Sequence, residues 1–161
     1  MPLKLLGAAI ISLSGFSLGC VYVQRLKLRR DFLREFSVFL SSLSTAVRYR
    51  SADIVTLVNS CGELFSLPTD EYNHPFPKMW QSGIAGFQKR WRLSAADMAL
   101  LKEFGEGLGT TDVEGQLSHI ALYQGMFAKQ QSSAEDDITQ KSKLYKSLGL
   151  FVGVSAALMF L

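Results

Sequence analysis

Cysteine is nearly absent from this sequence. The two that occur, Cys20 and Cys61, allow neither a disulfide framework nor paired metal-ligand spacing, and both read as reduced, buried thiols. Proline is as scarce, with four residues, three of them gathered between Pro68 and Pro77. Neither glycine nor proline interrupts the chain between Cys20 and Gly62, so nothing there forces a helix to stop. Period-two alternation of apolar and polar residues is missing over any strand-length window, which excludes a half-buried sheet and leaves helices. Excess charge of one sign is also missing. Seventeen basic against fourteen acidic residues leave +3, and the basic residues do not gather on one face of a domain, so no nucleic acid is expected as a partner.

The motifs of catalysis are equally thin. Gly105-x-Gly107-x-Gly109 follows no strand and carries no Gly-Lys-Ser/Thr, so it is read as the left-handed end of a helix rather than a phosphate loop. His74 and His119 have no Cys, His or carboxylate at ligand spacing, and Gln116 and Tyr123 near His119 point to hydrogen bonding. Glu103 and Glu106, like Glu135, Asp136 and Asp137, read as solvated helix faces rather than acid and base pairs. No catalytic residue, metal or cofactor is expected.

What is present is apolar, and it sits at the ends. The chain is 48% hydrophobic with mean hydropathy +0.15, high for 161 residues of soluble protein. Leu5 to Val23 carry no charge, which makes about 28 Å of helix, one bilayer core. Ser147 to Leu161 carry none either. With Leu144, Tyr145 and a snorkelling Lys146 this second run reaches about 27 Å. Arg25, Lys27, Arg29 and Arg30 follow the first run, and Lys141, Lys143 and Lys146 precede the second, so both flanks place the middle of the chain in the cytoplasm. A lipidated signal peptide at Leu18-Gly19-Cys20 fits less well, because Ser17 replaces a large aliphatic residue and the basic cluster follows the run.

Between the ends the pattern is helical. Leu33, Phe36, Leu40, Leu43 and Val47, widened by Phe32 and Phe39, form one stripe. A short helix is expected over Asp53 to Cys61, then a long loop from Gly62 to Pro77. Phe76, Trp80, Ile84, Phe87 and Trp91 share a face. Ser94 and Asp97 make a capping box before Met98, Leu101, Phe104 and Leu108. Thr110, Thr111 and Asp112 cap a last helix with Val113, Leu117, Ile120, Phe127, Ala134 and Ile138 on its inner face. The expected fold is all-α: an antiparallel helical bundle over residues 25–143, flanked by transmembrane helices over 1–24 and 144–161.

Three segments carry a family resemblance: Lys4-Leu5-Leu6-Gly7-Ala8; Leu108-Gly109-Thr110-Thr111-Asp112 with Gln116-Leu117; and Lys143-Leu144-Tyr145-Lys146-Ser147-Leu148-Gly149 with Gly153. In these the chain resembles the stage III sporulation protein AB family, departing at Ser51-Ala52-Asp53 and from Thr69 to Arg92. The resemblance implies a domain similar to the F-type platform proteins of type II secretion, in the mother-cell membrane around the forespore. There it implies a scaffold subunit of a sporulation channel complex, with membrane lipid, a hexameric secretion-type ATPase and other channel membrane proteins as partners, and homo-oligomers as a further option. Arg29, Arg30, Arg34, Asp112 and Gln116 are the expected partner-binding residues. The competing readings are a membrane enzyme or lipid-handling protein working through His119, and a transporter accessory subunit.

Overall fold

The structure is a computed structural model that describes the backbone of residues 2–50, 52–62, 64–65, 67 and 75–160. Side chains of residues 2–16, 18–19, 146, 149–150, 152–154 and 156–160 lie outside the described set, as do His74 and Pro68 entirely. Among the described residues every regular element is a helix: α1 Pro2–Tyr49, α2 Ile54–Ser60, α3 Phe76–Ile84, α4 Phe87–Trp91, α5 Ala95–Gly107 and α6 Val113–Phe160. The all-α expectation holds. The chain forms two compact units, one of residues 1–28 with 133–161 and one of residues 29–132.

In the unit of residues 29–132, the stripe read from α1 is the core. Phe32, Leu33, Phe36, Phe39, Leu40, Leu43 and Val47 are all buried. Phe36 is the hub, its ring lying 4.4 Å from Phe127 of α6, 5.8 Å from Phe104 of α5 and 5.8 Å from Phe65. Burying each such ring stabilises the fold by about 1.5–3 kcal/mol before conformational entropy is subtracted. α1 and α6 run antiparallel, since Ser37 donates to Gln131 at 3.4 Å while Ser41, further along α1, accepts from Gln124 at 3.4 Å.

The loop after α2 is held by one side chain. The Asn59 amide donates to the Leu67 carbonyl (3.1 Å) and accepts from the Leu67 amide (2.9 Å), which sets Phe65 and Leu67 into the core. Pro75 caps α3 and Pro77 stands in its first turn, where a missing N–H leaves no intrahelical bond unmade. The single face expected from Phe76 to Trp91 is divided. Ala85 and Gly86 break the helix, and Arg92 in the left-handed conformation (φ 55°) ends α4. Trp80, Ile84 and Phe87 are buried, whereas Phe76 and Trp91 are only half-buried.

The glycines after Phe104 correct the sequence reading. Only Gly109 has the left-handed backbone (φ 81°); Gly105 and Gly107 belong to α5. Gly105 is required for space instead. The Trp80 indole N–H donates to the Leu101 carbonyl at 2.7 Å, and a Cβ on Gly105 would fall inside that indole ring. A Cβ on Gly107 would meet the His119 imidazole. Further along α6, Val113 is 53% exposed and Leu117 and Ile138 are half-buried. Gln116 and Tyr123 take inner positions with Ile120, Phe127 and Ala134.

In the unit of residues 1–28 with 133–161, the Tyr22 and Tyr145 rings lie 4.3 Å apart. Leu144, Leu148 and Phe151, at helical spacing, are 55%, 49% and 68% exposed. Among the described residues no helix is long and apolar enough to cross a membrane. Most of both apolar end runs lies outside the side chains described. Both cysteines are free, as expected, but Cys20 is exposed and Cys61 only half-buried, so neither is the fully buried thiol expected.

Gly105→Ala is expected to destabilise the protein by about 2 kcal/mol, the cost of overpacking a filled core, with Trp80 displaced from the Leu101 carbonyl. Urea denaturation of the full-length chain in detergent, followed by tryptophan fluorescence, reads both effects; an unchanged midpoint and spectrum would rule out the close approach.

Candidate interaction site

The five residues expected to meet partners fall into two groups in the bundle. Arg29, Arg30 and Arg34 lie along α1, and Asp112 and Gln116 lie at the α5–α6 turn. The two at the turn are joined through the backbone, the Gln116 main-chain N–H donating to the Asp112 main-chain carbonyl at 2.8 Å.

Arg29 is turned inward. Its side chain is 12% exposed and grips Asp97, itself wholly buried, through Nε to Oδ2 (2.7 Å) and Nη2 to Oδ1 (3.1 Å), with Nη2 also donating to Gln130 Oε1 (3.1 Å). Asp97 is also the closing residue of the α5 capping box: its N–H donates to Ser94 Oγ at 3.1 Å and its Oδ2 accepts from Ser94 N–H at 2.8 Å. Burial pushes the Asp97 carboxyl up, but the hydrogen bonds from Arg29 and Ser94 and the guanidinium charge outweigh it and hold the group below its ordinary 3.8. The capping box was legible in the sequence; its partner on α1 was not.

Arg30 pairs with the next residue, Asp31, through Nε (2.9 Å) and Nη2 (2.6 Å) to one oxygen, a half-exposed pair of small energetic weight. Arg34 is exposed and stands on the rim of two grooves. One, of about 650 Å³, runs between α1 and Cys61, Gly62 and Leu64; the other, of about 450 Å³, lies over Ser37, Ser41, Ser42, Thr45 and Gln131. Val38, 62% exposed, lies between them. Burial raises the pKa of the Cys61 thiol, against lowering by Ser60 and Arg50, and so keeps it protonated.

At the turn, side chains close both helix ends. The Asp112 carboxylate accepts from Gly115 N–H (2.9 Å), making it the N-cap of α6. Gln116, 5% exposed, accepts from Gly109 N–H (2.9 Å) and donates to Thr111 Oγ1 (3.0 Å), so its amide staples the turn. Thr110 Oγ1 donates to the Gly107 carbonyl (2.9 Å), and His119 Nε2–H donates to the Phe104 carbonyl (2.9 Å), satisfying two carbonyls that the end of α5 leaves free. The His119 ring also stacks on Phe104 (5.4 Å) and lies 4.8 Å from Tyr123. His119 thus ends a helix. Tyr123 is pushed above its ordinary value by burial and then by the charges of Glu103 and Glu106.

A feature the sequence reading missed adjoins the turn. A groove of about 490 Å³ is lined by Val47, Arg48 and Tyr49 at the end of α1, by Arg50, Ala52, Asp53, Ile54 and Leu57 just after it, and by Gly109, Thr111, Val113 and Gln116. An exposed tyrosine between two arginines at a helix end, Arg48-Tyr49-Arg50, was the available signal. Among the described residues no group of three or more His, Cys, Asp and Glu is placed to hold a metal ion.

A family model described as stage III sporulation protein AB matches residues 4–161. The chain is 25% identical to the stage III sporulation protein AB of Bacillus subtilis (strain 168), with 99% of each chain covered. No solved structure matches.

Asp97→Asn is expected to cost about 3 kcal/mol, the lower end for breaking a buried pair, because Arg29 keeps some contact with water. The pH dependence has a definite sign. The folded carboxyl titrates below 3.8, so the pair's contribution is whole above that value and disappears as pH falls through the lower folded one. Urea midpoints measured across that acid range on the full-length chain should fall more steeply for the unaltered protein than for Asp97→Asn. Parallel curves would contradict the assignment.

Proposed function

This chain belongs to the stage III sporulation protein AB family and has a role in sporulation; from that premise we propose that it is a membrane-anchored platform subunit of the channel complex between mother cell and forespore. Its helical bundle faces the mother-cell cytoplasm and recruits or couples a hexameric secretion-type ATPase. Other channel membrane proteins bind alongside.

The observation that supports the anchor best is the Tyr22–Tyr145 ring contact. It fits a common level for the inner ends of the two apolar runs: Tyr22 is the last but one residue of the first run, Tyr145 lies two residues before Ser147 at the start of the second, and α1 and α6 carry the runs in opposite chain directions. Tyrosine suits a membrane–water boundary, where an apolar ring and a polar hydroxyl are both solvated. Arg25, Lys27 and Lys143, all exposed, lie on the other side of that level in each helix, as a cytoplasmic flank requires. Leu144, Leu148 and Phe151 present the exposed apolar stripe that lipid would cover.

For the ATPase contact on α1, Arg34 is the available candidate. Arg29 is spent on Asp97, and Arg30 is tied to Asp31. Charge reversal at Arg29 would therefore unfold the bundle before it tested a partner. Asp112 and Gln116 act through the turn that they hold.

Affinity capture of the full-length protein in mild detergent, from cells early in spore formation, is expected to recover a hexameric ATPase with other sporulation membrane proteins. Arg34→Glu is expected to lower that recovery by roughly threefold or more while the protein stays in the membrane fraction. Recovery of the chain alone, under conditions that preserve other membrane complexes, would overturn the platform reading.

A further inference from the structure

The groove beside the α5–α6 turn is built from two stretches of chain, and its charges are unevenly balanced. One carboxylate, Asp53, is in the groove lining, its Oδ2 accepting from Val55 N–H at 3.2 Å as the cap of α2; Asp112 beside the groove accepts from Gly115 N–H through Oδ1 at 2.9 Å. The side chains of Arg48 and Arg50, both exposed, make no hydrogen bond or ion pair among the described residues; the Arg50 backbone N–H donates to the Ala46 carbonyl at 2.8 Å. Arg48 suits the negative end of α1; Arg50 lies beyond the helix and has no such role. Between them Tyr49 is 77% exposed, the most exposed large apolar or aromatic side chain described, and Val113 across the groove is 53% exposed.

From this we infer that the groove is a docking site for an acidic segment of a partner protein, an apolar side chain of which lies against Tyr49 and Val113 while flanking carboxylates meet Arg48 and Arg50. Charge complementarity selects the occupant. Two exposed guanidiniums against the single Asp53 carboxylate leave the lining net positive and favour Asp and Glu, which guanidinium binds in bidentate fashion. An exposed aromatic ring between two arginines is the composition of an interface anchor. The volume, about 490 Å³, suits a short peptide rather than a folded face. The inference rests on the reading of the bundle as an assembly platform and names one surface on it.

The test uses the full-length protein in spore-forming cells, with the photo-crosslinker benzoylphenylalanine replacing Tyr49 and, as a surface control, replacing Val38. Mass spectrometry of the adducts is expected to give, from Tyr49 and not from Val38, a segment of another protein with Asp or Glu on both sides of an apolar residue. Arg48→Glu with Arg50→Glu is expected to cut the adduct by roughly tenfold, and Arg48→Lys with Arg50→Lys by no more than about threefold. Should charge reversal lower the amount of protein, crosslinking of the Tyr49-substituted but otherwise unaltered chain in isolated membranes decides instead, its yield falling as salt rises. No adduct, an adduct only to this chain's own peptides or to lipid, a segment without carboxylates, or a yield indifferent to charge would overturn the docking site. ATPase capture in the same cells separates the two readings: capture intact with a silent Tyr49 removes the groove alone, and capture lost from the unaltered chain removes the platform.

Discussion

A carboxylate closed off from water must be neutralised where it lies, and in this bundle that demand falls on Asp97. Its burial would drive out the charged form; Arg29 from α1 and Ser94 at the start of α5 reverse that preference. Because Gln130 of α6 receives the same guanidinium, one buried charge fixes three helices against each other at one end of the bundle. A pair of this kind adds little net stability over a well-packed apolar contact. It does make misregistered packing costly, since any slip of α1 strands two charges. The aromatic hub around Phe36 supplies the apolar driving force, which is less particular about register.

The opposite end of the bundle solves its problem with neutral groups. Where α5 stops and α6 starts, free carbonyls and amides are answered in turn by His119, Thr110, Gln116 and Asp112. Little of that polarity is left to offer a ligand, so the recognition chemistry of this end falls to the adjoining stretch from Arg48 to Arg50. The motif segment Leu108-Gly109-Thr110-Thr111-Asp112 with Gln116 thus has its explanation in chain reversal, and it positions a groove floor rather than forming a binding surface itself.

How much could be read in advance depended on the range of the interaction. The α1 stripe from Phe32 to Val47 and the Ser94–Asp97 capping box rest on spacing within one helix, and both stand as expected. Val113 does not take the inner position its hydrophobicity suggests, because Gln116, held by the turn, occupies it and so sets the phase of α6 there. Gly105 was misread because glycine signals a turn and a close approach equally well. The difference lay in Trp80, 25 residues away along the sequence. The burial of Arg29 was likewise invisible, since a basic residue after an apolar run looks like a membrane flank until its carboxylate partner is known.

The fit of Trp80 against Gly105 and of His119 against Gly107 has a consequence for how such a sequence drifts. Each is a lock made of a missing side chain and a large ring, and neither half can change first without cost: a side chain at position 105 meets the indole, and loss of the indole leaves a void and frees a carbonyl contact. Related chains that diverge at these positions should do so in pairs, with a smaller residue at 80 or 119 accompanying any residue larger than glycine at 105 or 107. At 25% identity to a relative matched over 99% of each chain, most positions differ between the two. These four are constrained as two couples, and their coordinated change would trace the helix packing through the family's history.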